Sequence, residues 1–161
     1  MLRIASQAME EMIEHCRREY PNEACGYLAG IASAPAGPRN DAGAGPRNDA
    51  GAGPRNDDVA TVSFPIRNEA ASPTWYEMNP SDQIRAQKEM RAKGLAPLAV
   101  YHSHVATEAY PSPRDVERAT AVQDLFDGTY VLVTLKDAGR PRARAFRIRD
   151  GHVQEEELVE G

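Results

Sequence analysis

Two histidines separated by one residue stand at the end of an apolar run, in the stretch VYHSHVATEAYPSPRD. Alternate side chains of a β-strand face the same way, so a strand here points His102 and His104 together and Ser103 in the opposite direction. Two imidazoles on one strand face are a suitable pair of ligands for a metal ion such as zinc. A third ligand is needed, and the stretch offers two acids, Glu108 and Asp115.

Asp115 is the better candidate because of the element that carries it. The segment SPRDVERATAVQ predicts a helix with Ser112 as N-cap and Pro113 at its first position. Asp115 then lies in the first turn, and the loop before the helix allows that turn to fold back towards the strand end. Two neutral imidazoles and one carboxylate leave zinc with a fourth position open for water. Ser112 would lie beside that position.

Together these residues spell H-x-H-x7-S-x2-D, which resembles the signature of the JAMM metallopeptidases, also called MPN-domain enzymes. The resemblance implies one Zn²⁺ per chain, held by His102, His104 and Asp115. It also implies that Ser112 donates a hydrogen bond to the developing oxyanion. The family places a general base upstream, at the start of a strand after the first helix, and Glu23 in NEACGYLAG occupies that place.

The resemblance also suggests a substrate. Similar compact prokaryotic members cleave an amide bond at the C-terminal Gly-Gly tail of ubiquitin-like or sulfur-carrier proteins, some of them releasing cysteine or another amino acid. We expect such a carrier as the partner, with Asn68 as a candidate substrate-side residue. Two alternatives stay open: an isopeptidase that removes ubiquitin-like modifiers from lysine, and an MPN scaffold without enzymatic activity.

Strand and helix patterns are interspersed along the chain, which predicts an α/β (α+β) fold, and the resemblance implies a single MPN-like domain over residues 1–161. We expect a mixed, curved β-sheet flanked by helices. Helices are predicted from Ser6, as N-cap, to Tyr20, and from Pro80, capped by Asn79, to Lys93. Short strands are predicted at LRIA and TWYEM, and longer ones at ACGYLAGIA, VATVSFPIRN, PLAVYHSH and TYVLVTL. Asp150-Gly151 predicts a C-terminal β-hairpin.

A polar repeat interrupts this pattern. AGPRND occurs three times with an eight-residue period, between residues 36 and 57. The segment is too rich in glycine and proline to build a core, so residues 34–57 are expected to form a disordered surface loop.

Charge and hydropathy exclude several classes of protein. The 161-residue chain has a net charge of −5, which argues against nucleic acid as the main partner. No apolar run is long enough to cross a membrane, and the N-terminus lacks a signal-peptide core, so a cytoplasmic location is expected. The segment RPRARAFRIR places Arg140, Arg142 and Arg144 on one strand face. That face is either solvated or a docking surface for an acidic carrier. The oligomeric state is not predicted.

Overall fold

The computed structural model describes residues 1–33 and 58–161, in which it has eight strands and three helices. The strands are β1 (Leu2–Ile4), β2 (Cys25–Ile31), β3 (Val59–Ile66), β4 (Ala96–His104), β5 (Thr129–Thr134), β6 (Arg142–Arg149), β7 (His152–Glu156) and β8 (Leu158–Glu160). The helices are α1 (Ser6–Glu19), α2 (Pro80–Ala92) and α3 (Pro113–Ala121). The AGPRND repeats and the expected loop at 34–57 lie outside the described residues. Within those residues, no helix combines the length and apolar character of a bilayer span.

One mixed sheet holds these strands in the order β7-β6-β5-β4-β2-β3-β1-β8. β7 and β8 are at opposite edges, although only Glu157 separates them in the chain. Because neighbouring strands lie about 4.8 Å apart, a single residue cannot cross a flat sheet of this width. The sheet must therefore curve until its edges meet, and the N–H of Leu2 donates to the carbonyl of Glu157 at this closure. The prediction of a mixed, curved sheet flanked by helices is confirmed.

β4 lies near the middle of the sheet, antiparallel to β2 and parallel to β5, and its side chains alternate between two cores. Tyr101 is buried with the apolar face of α1. Val100 is buried on the other side with residues of α2 and α3. Ser103 is on the same face of β4 as Tyr101 and accepts a hydrogen bond from the N–H of Ala24 at 2.8 Å. The expected opposition of Ser103 to the two histidines is therefore present.

Two of the three described helices begin with a side-chain N-cap, Asn79 for α2 and Ser112 for α3. Asn79 Oδ1 accepts from the N–H of Asp82 at 2.8 Å and caps α2, as predicted. Ser6 was wrongly predicted as a cap, because α1 begins at Ser6 itself and Ala5 holds the cap position without a side-chain hydrogen bond. The strand predicted at TWYEM is also wrong. Only Met78 forms an isolated bridge there, with Asn68.

The C-terminal hairpin has the predicted turn. Asp150 and Gly151 adopt φ values of 51° and 76°, and the left-handed region favours these residue types in a two-residue turn. The turn joins β6 to β7, which pair antiparallel. Its position is also fixed by Gln123, whose side chain bonds both the N–H and the carboxylate of Asp150 at 2.8 Å.

A buried histidine on α1 predicts a pH-dependent stability. His15 Nδ1 lies 2.7 Å from the Tyr101 hydroxyl, and burial, with a smaller contribution from Arg18, lowers the pKa of His15 to about 4. In the unfolded chain His15 has a pKa near 6.5 and binds a proton more readily than in the folded protein. The contribution of neutral His15 to the free energy of unfolding is therefore complete above pH 6.5 and is lost as pH falls towards 4.

We expect His15→Gln, which does not titrate here, to show a smaller acid-induced loss than wild type. The difference in unfolding free energy between about pH 7 and about pH 4.5 should be smaller by roughly 2.5 kcal/mol. Urea unfolding of both proteins at the two pH values measures it, and other titrating groups cancel in the comparison. Equal pH dependence in the two proteins would contradict the assignment.

Candidate metal centre

The C-terminal end of β4 brings the two predicted histidines together. His102 and His104 are both buried, and their Nε2 atoms lie 3.2 Å apart. The ring of His104 is oriented by its Nδ1, which lies 2.8 Å from the backbone carbonyl of Glu108. The Glu108 carboxylate is exposed and pairs with Lys136 at 2.9 Å. Glu108 therefore serves the site through its backbone, and its acid points elsewhere.

Asp115 meets the histidines from the first turn of α3. Its Oδ2 lies 3.2 Å from Nε2 of His102 and 3.1 Å from Nε2 of His104. The same oxygen accepts the N–H of Ser112 at 2.9 Å, while Ser112 Oγ accepts the N–H of Asp115 at 3.1 Å. This reciprocal capping box holds the carboxylate at the strand end. The sequence-based expectation that this turn folds back onto the histidines is realised.

The three side chains strongly perturb one another's ionisation. Burial works to raise the pKa of Asp115, but the contacts with His102 and His104 outweigh it and hold that pKa far below its usual range. Burial lowers the pKa of His102, against the opposing effect of Asp115. For His104 burial also acts to lower the pKa, and the contacts to Asp115 and to the Glu108 carbonyl reverse the direction. The carboxylate is thus ionised whenever the protein is folded near neutral pH.

Glu23 approaches the same histidines from the segment before β2. Ligand atoms of Glu23, His102 and His104 all lie within 4.8 Å of one another, so these three buried residues form a group able to hold a metal ion. Burial raises the pKa of Glu23 to about 7, while the charges of His104 lower it and of Asp115 raise it. A carboxyl with a pKa near neutrality is suited to exchange protons, unlike Asp115.

Asn68 holds the backbone around Glu23. Its Nδ2 donates to the carbonyls of Glu23 and Trp75, both at 3.0 Å. Its Oδ1 accepts the N–H groups of Ala70 and Glu77, at 3.0 and 2.9 Å. These four bonds use both ends of the amide and anchor the segment between β3 and α2. The substrate-side role of Asn68 stays a prediction, and its observed contacts are structural.

Besides its capping bond, Ser112 has a hydroxyl hydrogen with no acceptor among the described residues. The hydroxyl oxygen accepts from Asp115, which uses a lone pair and leaves the hydroxyl hydrogen available for another acceptor. The residue is half-buried beside the metal-binding group. Its capping role and a role towards substrate are therefore compatible.

An aromatic and arginine cluster beside the site was not predicted from the sequence. Tyr76 is buried and stacks on the ring of His102, with ring centroids 4.6 Å apart. Arg118 donates to the Tyr76 carbonyl, and the guanidinium groups of Arg114 and Arg118 lie over the ring of Trp75. The adjacent aromatic pair WY was the available signal, and it was interpreted as part of a strand.

The family of this chain follows from its similarity to known proteins. The profile of prokaryotic homologs of the JAB domain matches residues 5–149. The chain therefore belongs to this family. A JAB1/MPN domain protein from Archaeoglobus fulgidus shares the fold, with a TM-score of 0.54 over 99% of this chain and 98% of that one at 12% identity.

Particular relatives are more similar. The chain is 35% identical to the CysO-cysteine peptidase of Mycobacterium tuberculosis over 156 residues, which cover 97% of this chain and 88% of the relative. A desampylase from Haloferax volcanii is 27% identical over 74% of this chain and 73% of the relative. The solution structure of a Desulfitobacterium hafniense protein superposes with a TM-score of 0.74 at 31% identity, covering 100% and 93%. The predicted JAMM/MPN family and hydrolase class are confirmed.

Proposed function

We propose that this protein is a zinc-dependent hydrolase that cleaves an amide bond at the C-terminal Gly-Gly tail of a ubiquitin-like or sulfur-carrier protein. Release of cysteine or another amino acid from the carrier is the favoured reaction. The observation that carries the proposal is that a histidine pair able to bind a metal lies beside two carboxyl groups. The pKa of one, Glu23, is raised, and that of the other, Asp115, is lowered. The similarity to a CysO-cysteine peptidase over nearly the whole chain supports the choice of substrate.

The donor set fits zinc. The ligand atoms of a tetrahedral zinc ion, with bonds of about 2.0–2.1 Å, lie about 3.3 Å apart. The three separations among His102 Nε2, His104 Nε2 and Asp115 Oδ2 are 3.1–3.2 Å, close to that spacing. Two imidazoles and one carboxylate form a common catalytic zinc set with a fourth position left for water or substrate. We assign one Zn²⁺ per chain to these three residues.

Glu23 and Ser112 would perform the proton transfer and the stabilisation of charge. When bound, zinc acidifies a water molecule and polarises a carbonyl oxygen. Glu23, whose pKa is raised to about 7 chiefly by burial, accepts a proton from the attacking water and returns it to the leaving amine. The free hydroxyl hydrogen of Ser112 donates to the oxygen that becomes negative in the transition state, a contact worth roughly 3–4 kcal/mol in other hydrolases.

Isopeptidase activity is the second candidate, because a desampylase is also similar to the chain. A scaffold without activity is the non-enzymatic alternative, and it does not need the complete set of metal-binding and acidic side chains seen here. The two enzymatic candidates share the chemistry at the carbonyl carbon. They differ in the leaving group, which is a free amino acid in one and a lysine side chain in the other.

A cleavage assay separates these functions. We expect the zinc-loaded protein to release cysteine from a CysO–cysteine adduct faster than it cleaves the same carrier from a lysine side chain. A chelator should abolish both activities, and zinc should restore them. Mass spectrometry of the carrier measures each product. Faster cleavage of the lysine conjugate would favour the isopeptidase, and no zinc binding together with no cleavage would favour the scaffold.

A further inference from the structure

Two arginines on α3 share one aromatic ring next to the site. The Arg114 and Arg118 guanidinium carbons lie 3.6 Å and 3.8 Å from the centroid of the Trp75 ring. Arg118 also lies 4.5 Å from the centroid of Tyr76, and Tyr76 stacks on His102. The Tyr76 ring thus separates Arg118 from His102, and the Trp75 ring joins Arg114 to Arg118. Stacking on an indole fixes the plane of a guanidinium group and leaves its N–H edge free to bind.

The two arginines differ in what remains free. Arg118 is half-buried and donates to the carbonyl of Tyr76, so it holds the segment that carries both aromatic rings. Arg114 is exposed, and among residues 1–33 and 58–161 it forms neither a hydrogen bond nor an ion pair. Other stacked or partly buried arginines of the protein have acidic partners, such as Arg144 with Glu155. Arg114 is therefore a positioned cation without an ion-pair partner in the described part of the chain, although its charge reaches Glu23, where it acts to lower the carboxyl pKa that burial raises.

Arg114 lies in the first turn of α3, at the helix start that carries the site. In the chain it is between Ser112 and Asp115, which are joined by the capping box at the metal-binding group. With Zn²⁺ bound, the charge of the ion would offset the carboxylates of Glu23 and Asp115, so these groups alone do not select for or against a negative group. Recognition of a negative group close to the cleaved bond needs a further cation that can hydrogen-bond to it, and Arg114 supplies one.

We propose that Arg114, stacked on Trp75, binds the free α-carboxylate of the amino acid released from the carrier. The inference rests on the proposed function and names the feature that selects its substrate. In a carrier–amino acid adduct, the α-carboxylate is one carbon away from the nitrogen of the cleaved bond. In a lysine isopeptide, that nitrogen is followed by an uncharged methylene chain. Arg114 thereby favours release of an amino acid over removal of a modifier from lysine.

The test uses two peptides that end in Gly-Gly-Ala, one with a free α-carboxylate and one with a carboxamide. We expect zinc-loaded wild type to cleave the free acid with a kcat/KM roughly 10- to 100-fold above that of the amide, the range of a hydrogen bond to a charged group. Arg114→Gln should bring this ratio to about one, and Arg114→Lys should give an intermediate ratio. Arg91→Gln, at an exposed arginine of α2, is the matched control and should keep the wild-type ratio.

The ratio is internal to each preparation, so unfolded protein cancels. A wild-type ratio near one, or a ratio unchanged by Arg114→Gln, overturns the inference while leaving the proposed function intact. Equal losses on both peptides in Arg114→Gln also overturn it, because they indicate contact with another part of the carrier.

If wild type cleaves neither peptide, the proposed function fails on these substrates, and binding decides the inference separately. Calorimetry with the zinc-loaded Glu23→Gln protein should then show tighter binding of the free acid than of the amide. That preference should disappear when Arg114→Gln is added. Equal affinity for the two peptides overturns the inference.

Discussion

Glu23→Gln is expected to lower kcat by about 10²- to 10⁴-fold, the usual contribution of a general acid–base group, while one zinc per chain stays bound. Glutamine preserves the shape of the side chain but cannot accept the proton from water. The assignment matters because Glu23 is also close enough to the histidines to be considered a ligand. The separations among His102, His104 and Asp115, 3.1–3.2 Å, already match the spacing of zinc ligands, which leaves Glu23 to move the proton.

Metal analysis by mass spectrometry together with a cleavage assay measures both parts of this result. Glu117→Gln, an exposed acid on α3, is the matched control and should retain activity and zinc. Loss of zinc from Glu23→Gln would show that Glu23 is a ligand. Wild-type kcat in that variant would show that another group moves the proton.

Asp115→Asn is expected to lose zinc and, with it, activity. The amide keeps an oxygen for the capping box but removes the negative charge that faces both histidines. Outer-shell partners of metal ligands are worth 10- to 100-fold in affinity, so loss of a ligand should exceed roughly 100-fold. Competition with a zinc chelator measures the change in affinity, and His104→Ala should behave in the same way.

Asp124→Asn, at an exposed acid after α3, controls for the change of net charge and should bind zinc normally. Zinc bound to Asp115→Asn with wild-type affinity would contradict the proposed ligand set. Calorimetric melting of the metal-free proteins separates a folding defect from a binding defect. A variant that melts like wild type but binds zinc weakly has lost only the carboxylate ligand.

The site was predictable where its parts are local in the chain. The distance from His102 to Asp115 is spanned by one strand end, one loop and one helix start, and each has a recognisable signal: alternation, proline and a serine cap. Glu23 was reached only through resemblance to a family, since no spacing rule connects it to the histidines. The curved sheet supplies that connection, because β2 pairs with β4 at Cys25 and His102.

Other features depend on tertiary contacts that a sequence pattern does not carry. The substrate-side role of Asn68 stays a prediction, and its side chain is anchored by the backbone of Glu23 and of the segment from Ala70 to Glu77. TWYEM has the composition of a strand, but its aromatic rings pack on α3 and on His102. Arg144 was considered as part of a docking face, and it forms a two-bond pair with Glu155 on the neighbouring strand. β8 was not predicted as a strand apart from β7, since only Glu157 separates the two in the chain.

The alternation of β4 between two cores has a consequence for how this protein reaches its native state. A shift of β4 by one residue against its neighbours would place Tyr101 and Ser103 at the site and turn both imidazoles into the opposite core. Only the native register brings the imidazoles to Asp115. Zinc, by binding that register alone, would stabilise it by mass action in proportion to the logarithm of the ion concentration. The metal would thus favour the native strand pairing as well as serve as a cofactor.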